Sequence, residues 1–296
     1  MSKAPRLVLS NNKPIQGVLV DISGTLHIGD QATPGAIDAC RKLFNFNCNK
    51  DQLNLKVLFL TNTSKVSSKT LLHQLREMGF DESCIPNQDA IVTSINATRQ
   101  YLLTNGLRPY CLVEDDLVET DFQGIDMDDP NCVLVGLAPS KFCYDKLNGA
   151  FRLLSKLKEQ KEHANGGDKP SLIAIHRAKY YRDSDHQLSL GPGGFINLLE
   201  QAAEVAAHVV GKPSPLFYHA AVSSLGLDPA NVVMVGDDAI GDVKGALDAG
   251  LGGAMLVKTG KYVDGDELGN KTDGVEPTLT LPSFADAVDC ICSSIG

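Results

Sequence analysis

The sequence has no stretch approaching about 18 consecutive apolar residues, so no membrane-spanning helix is expected. It also lacks an excess of basic residues. Lys plus Arg number 27 against 36 Asp plus Glu, a formal net charge of −9 at pH 7. A nucleic-acid or membrane-surface binder needs a basic face, so neither partner is expected. An anionic small substrate stays open, because one local site can reverse the global sign. Residues 1–12 hold no apolar run of the kind a secretory signal uses. No CxxC pair occurs among Cys40, Cys48, Cys84, Cys111, Cys132, Cys143, Cys290 and Cys292. Reduced thiols and a cytoplasmic, or also nuclear, location are therefore expected. What is present is ordinary: 296 residues, 43% apolar and 21% charged, enough for one large or two modest cored domains.

The dominant rhythm is a short β-branched run followed by a helical pattern. Strands are expected over 15–21, 55–60, 110–113, 132–137, 172–175, 232–235 and 253–257. Helices are expected over 34–44, 67–78, 88–104, 142–158, 194–208, 215–225, 242–249 and 283–293, with a loop at 163–170. This alternation predicts α/β architecture, a Rossmann-like parallel sheet flanked by helices. Such sheets bind ligands at the C-terminal ends of their strands.

Four strand ends carry polar groups out of proportion to the rest: VDISGTL at 20–26, LTNTS at 60–64, VGKPSP at 210–215 and VGDD at 235–238, with Asp242 beyond. Singly, each has a plainer explanation. Thr61, Asn62 and their neighbours suit helix caps, Lys212 alone suits solvent, and Asp238 and Asp242 suit a helix N-terminus. In this order they form one coherent site. Asp21 and Asp237 would hold a hard divalent cation, as Mg²⁺ prefers oxygen ligands. Thr61, Asn62 and Lys212 would hold phosphoryl oxygens, and Asp21 is free to attack phosphorus.

The set DxxGTL, TN, GKPSP and GDD with a later Asp resembles the haloacid dehalogenase superfamily of aspartate-nucleophile phosphatases, in order and spacing over about 15–292. The long segment between TN and GKPSP resembles the NagD-like branch, which implies a catalytic core of 1–87 plus 190–296 and an inserted α/β cap of 88–189. The resemblance implies Asp21 as nucleophile and metal ligand, with Lys212 and Thr61 in the catalytic set. It also implies a metal contact from the Ser23 carbonyl and from Asp237, with Asp238 and Asp242 as supports. The implied substrate-binding set is Asp21, Ile22, Ser23, Thr61, Asn62 and Lys212, the cofactor Mg²⁺, and the assembly a homodimer through the cap. DISGTL, TNTS, GLRPY, PNCVLV and KYY further resemble branch members acting on phospholysine, phosphohistidine and inorganic pyrophosphate. Extra residues at 45–54 and 163–169 look like loops.

One departure is informative. Most aspartate-nucleophile phosphatases carry a second Asp two residues after the first, and here that position is Ser23. A positioned acid–base group contributes about 10²–10⁴-fold, and a serine hydroxyl supplies none near neutral pH. Alkoxide leaving groups suffer most. An amine can leave protonated and a phosphate can leave stabilised, so P–N and P–O–P bonds are favoured. The alternatives are a small-metabolite phosphomonoesterase and a weak phosphate-binding protein. Arg177, Lys179, Tyr180, Tyr181 and Arg182 are either an anion-attracting loop or a solvated turn. His176 and His186 are candidate leaving-group partners, more often surface or core residues.

Overall fold

The computed structural model describes residues 7–10, 13–45, 55–163, 169–182 and 187–295. Cys48, His186 and most of the two expected inserted loops lie outside the described residues, as do the side chains of His163 and Arg182. The chain runs through β1 (Gly17–Asp21), a hairpin of β2 (His27–Ile28) and β3 (Gln31–Ala32), α1 (Ala36–Asn45), β4 (Lys56–Thr61) and α2 (Ser68–Glu77). β5 (Ile91–Thr93), α3 (Ser94–Asn105), β6 (Pro109–Leu112), α4 (Asp115–Glu119), β7 (Cys132–Val135), α5 (Tyr144–His163) and β8 (Leu172–Ala174) follow. A second hairpin, β9 (Tyr180–Arg182) and β10 (Leu188–Leu190), precedes α6 (Gly193–Ala203), β11 (Ala207–Val209) and α7 (Pro215–Leu225). The chain ends with β12 (Val232–Gly236), α8 (Gly245–Asp248), β13 (Gly253–Val257), β14 (Leu279–Leu281) and α9 (Phe284–Ile295).

Two all-parallel sheets organise these elements. One has six strands in the order β14-β13-β12-β1-β4-β5, the other four in the order β11-β8-β7-β6. β1 shows why the six-stranded sheet sits in the middle. All five of its residues are buried, as in strands covered on both faces. Val18 and Val20 pack on the side of α1 and α9, while Leu19 packs on the side of Phe217 and Tyr218 of α7. By the same alternation Asp21 falls on the α7 side, and Lys212 lies just ahead of α7.

Sheet membership differs from expectation at two short segments, 91–93 and 207–209. Residues 91–93, expected inside a helix, are β5 and pair with β4. Three β-branched residues after a short turn favour an edge strand there, and the Thr93 hydroxyl then caps α3 by accepting from Asn96 N (3.0 Å). Residues 207 and 208, also expected in a helix, begin β11 (Ala207–Val209) of the four-stranded sheet, and α6 ends at Ala203. Its residues Ile196 and Leu199 pack with Val133 and Ala174 of the four-stranded sheet. The 242–249 helix begins three residues early, as a wide π-type turn over Ala239–Lys244 before α8. The two hairpins and β14 have no counterpart among the expectations.

Candidate active site

The C-terminal ends of β1, β4 and β12 converge with the segment ahead of α7. Asp21 ends β1, Thr61 ends β4, Asp237 follows β12, and all three are buried together with Lys212 and Asp242. Lys212 Nζ donates to Asp21 Oδ1 (2.5 Å) and to Asp242 Oδ1 (2.6 Å). Burial by itself lowers the ammonium's pKa, but the Asp21 and Asp242 charges more than reverse this and hold it well above the usual lysine range. The lysine stays charged between its two carboxylates.

Asp242 also accepts from Asp238 N (3.1 Å) on its second oxygen, so both of its oxygens are used. Its carboxyl is pushed up by burial and by the Asp21 and Asp238 charges, against the pull of Lys212. Asp237 is pushed up well beyond the carboxylate range by burial first and then by Asp21. Its Oδ2 accepts from Lys261 N (2.6 Å). The turns on either side press close: a Cβ at Gly24 (φ +96°) or at Gly260 (φ +54°) would stand 2.0 Å from that oxygen, so neither position admits a side chain.

Carboxylate oxygens of Asp21, Asp237 and Asp242 lie within 4.8 Å of one another. Buried acids held this close call for positive charge, and an all-oxygen set suits a hard divalent cation. All three already have protein partners: Asp21 accepts from Lys212 Nζ on Oδ1 and from Thr25 Oγ1 on Oδ2 (3.2 Å), Asp242 from Lys212 Nζ and the Asp238 amide, and Asp237 from Lys261 N on Oδ2. Asp21 and Asp237, at the ends of neighbouring strands, are the pair that would hold the ion. Mg²⁺ fits this donor set.

The remaining expected residues fall into two groups. Ser23 is exposed to the cavity, and its hydroxyl meets Thr63 Oγ1 (3.2 Å), which in turn accepts from Thr61 Oγ1 (2.9 Å). These three hydroxyls line the space above Asp21. Asn62 was expected to bind phosphate, but its Nδ2 donates to Lys212 O (2.8 Å) and its Oδ1 accepts from Lys212 N (2.9 Å). Its carboxamide thus clips the main chain of Lys212 and aims the lysine. Ile22 was also expected among the substrate contacts. Its side chain is fully buried, and its carbonyl accepts from Leu26 N (2.9 Å) in the turn after β1. Asp238 caps the wide turn through Ile240 N (3.0 Å) and Gly241 N (2.9 Å) and pairs with Lys261 Nζ (2.9 Å). Burial raises its pKa, yet Lys261 and the turn amides bring it down to about 2. Its carboxylate is engaged by the turn amides and by Lys261.

Lys261 escaped sequence reading. It lies on the turn after β13, where the signal was a Thr-Gly-Lys following an apolar strand. Thr259 Oγ1 donates to Gly24 O (2.6 Å), so this turn is tied to the turn after β1.

From the cap side, His176 follows β8 and reaches Ser64 with Nε2 (2.8 Å), while its Nδ1 accepts from Ala178 N (3.3 Å). Burial first, then the charges of Lys261 and Lys212, push its pKa down to about 3, so the ring is a neutral bridge between the two sheets. Arg177 turns away to Asn197 Oδ1 (2.7 Å) and to Glu200 on α6. Of the basic-aromatic cluster, Tyr181 lines the cavity, with Lys65 Nζ 5.4 Å from its ring centroid. The cavity enclosed by these elements measures about 570 Å³.

A haloacid dehalogenase-like hydrolase model matches residues 18–125, and a HAD-hydrolase-like model matches 209–287. The human "haloacid dehalogenase-like hydrolase domain-containing protein 2" is 44% identical over 279 residues, covering 94% of this chain and 96% of that protein. The chain belongs to the haloacid dehalogenase-like hydrolases, and it is a phosphatase. A mouse "phospholysine phosphohistidine inorganic pyrophosphate phosphatase" is 37% identical over 94% of each chain. Among solved structures, a p-nitrophenyl phosphatase from Archaeoglobus fulgidus superimposes with a TM-score of 0.76 at 23% identity, covering 94% of this chain and 99% of its own. The glycerol phosphate phosphatase of Mycobacterium tuberculosis in complex with magnesium superimposes at 0.73 and 22%, over 92% and 76%. At these identities the two structures establish the shared haloacid dehalogenase-type fold with its cap.

Proposed function

We propose that this phosphatase is Mg²⁺-dependent, works through an aspartyl-phosphate on Asp21, and cleaves the P–N bonds of phospholysine and phosphohistidine or the P–O–P bond of inorganic pyrophosphate. The observation that carries this reading is the pair Asp21 and Ser23. A buried carboxylate held on Lys212 ends the strand, and two residues on, where an ester-cleaving relative needs an acid, an exposed hydroxyl faces the cavity. The mouse relative's printed name points the same way.

The chain's own residues divide the work. One oxygen of Asp21 attacks phosphorus while the bond to the leaving nitrogen or oxygen breaks and its electron pair departs with that atom. An amine nitrogen takes a proton from solvent, and a phosphate leaves without one. Water then attacks the acyl phosphate, releasing inorganic phosphate and restoring the carboxylate. Lys212 holds Asp21 in line and places fixed positive charge beside the phosphoryl oxygens. Asn62 holds Lys212, and the Thr61, Thr63 and Ser23 hydroxyls offer hydrogen bonds to the phosphoryl group. Mg²⁺, bound by Asp21 and Asp237 with the Ser23 carbonyl, would add charge against those same oxygens.

The test is phosphate release from pyrophosphate, phosphohistidine and a simple alkyl phosphate, with and without Mg²⁺. Turnover of the first two well above the third is expected, with a loss of at least about 10³-fold in Asp21→Asn. Preference for the alkyl ester would instead make the enzyme a small-metabolite phosphomonoesterase. No release from any of the three would leave a phosphate-binding protein.

A further inference from the structure

Ser64 lies on the loop after β4, beyond Thr61 at the strand's end, and is buried. Its hydroxyl oxygen accepts from Leu137 N (3.0 Å) and meets His176 Nε2 (2.8 Å). Because His176 Nδ1 accepts from Ala178 N (3.3 Å), the neutral ring carries its proton on Nε2 and donates it to Ser64. Two donors fill both lone pairs of that oxygen, so Ser64 has none left with which to accept from a substrate. It acts as a tie. Leu137 follows β7 and His176 follows β8, so two strand ends of the four-stranded sheet close on one atom of a loop from the six-stranded sheet.

The same loop is held again where it turns into α2. Ser67 N donates to Asp116 Oδ2 (3.3 Å), and Ser68 donates from N to Asp121 Oδ2 (3.3 Å) and from its hydroxyl to Asp121 Oδ1 (2.6 Å). Carboxylates are favoured on the opening amides of a helix. Asp116 is in α4 and Asp121 just beyond it, and their neighbours Leu117 and Phe122 pack with Leu134 and Ile173 of the four-stranded sheet. Residues 64–68 are thus fixed at both ends from the other sheet.

Thr63 comes immediately before this anchored segment. Its Oγ1 accepts from Thr61 Oγ1 (2.9 Å), which leaves its own proton for Ser23 or for a phosphoryl oxygen above Asp21. A planar peptide joins it to Ser64, so a shift of that anchor moves the Thr63 hydroxyl.

We infer that Ser64 is a positioning residue of the phosphatase reaction: through Leu137 and His176, the four-stranded sheet sets where the Thr63 hydroxyl points above Asp21. The inference rests on the phosphoryl-binding hydroxyls proposed above and not on the choice of leaving group.

The test uses p-nitrophenyl phosphate, whose phenolate needs no acid to leave, with the full chain in Mg²⁺. Thr63→Val should lower kcat by about 10²-fold with KM unchanged, as loss of a hydrogen bond made in the transition state does. Ser64→Ala should lower kcat by about tenfold or more, again without moving KM. In the Thr63→Val background, Ser64→Ala should cost less than about twofold further, because the hydroxyl it aims is gone. Asp121→Ala loosens the far end of the segment and should lower kcat a few-fold with the same dependence on Thr63. Effects of Ser64→Ala and Thr63→Val that multiply, or an unaltered kcat in Ser64→Ala, overturn the inference and leave the hydroxyl roles standing. If Ser64→Ala does not fold, the same cycle run with Asp121→Ala decides, by the same two outcomes. An unaltered kcat in Thr63→Val removes the hydroxyl role and the inference with it. Failure of the unaltered chain to release the phenolate overturns the phosphoryl site and both readings.

Discussion

The two sheets are built alike, all parallel and backed by helices, yet their strand ends differ in kind. At the six-stranded sheet, Asp21, Asp237, Asp238 and Asp242 stand around Lys212 and Lys261. At the four-stranded sheet, the strand ends facing the same cavity offer Leu137 and a neutral His176. Charge and chemistry sit on one sheet, and enclosure comes from the other. The same fold can do either, because what a parallel sheet fixes is the place of its strand-end groups, not their nature.

The comparison is most easily broken at Lys212. In Lys212→Met the Asp21 and Asp242 carboxylates face each other buried and without a counter-ion. Catalysis should fall by about 10²–10³-fold, and stability, read by urea unfolding without metal, by about 3–5 kcal/mol. Ser23→Asp acts in the other direction. It should raise alkyl phosphate turnover by about 10²-fold or more and narrow the gap to P–N substrates.

The two strand-end clusters should also answer pH with opposite sign. Asp237 and Asp242 are raised in the folded protein, so their contribution is complete below the ordinary carboxylate range and is lost as pH rises toward neutrality. Mg²⁺ replaces the lost protons, so the increase in Tm that Mg²⁺ produces should be larger at pH 8 than at pH 6. An increase independent of pH would mean that the ion binds elsewhere. His176 is depressed instead, so its contribution is present above about pH 6.5 and is lost as pH falls toward about 3. His176→Asn should flatten the acid limb of the unfolding free energy between about pH 6.5 and 4.5. That is the smallest of these effects, about one proton's worth of slope.

Much of the candidate site could be read in the sequence. Asp21, Lys212 and Asp237 follow apolar strands or open a proline-started helix, and their types name their chemistry. Asn62 shows where that reading stops. A carboxamide after a strand suits a phosphate as well as it suits a main chain, and only the approach of residue 212 from 150 positions away decides between them. Lys261 shows the same limit from the other side, since a lysine on a turn carries no sign of the two carboxylates waiting for it. The missed strands at 91–93 and 207–209 are three residues long, too short for a period of two to declare itself against a neighbouring helix.

The sequence by itself determined the alternation of strand and helix, the parallel sheet that follows from it, and the residue types at its strand ends. These depend on hydrophobic period and side-chain chemistry, which are local. The tertiary structure alone decided that Asn62 aims Lys212, that Asp242 spends both oxygens inside the protein, that Lys261 joins the site, and that about 570 Å³ stands open above Asp21. Each of these is a meeting of segments far apart in the chain, and only the packing of one sheet end against the other brings them together.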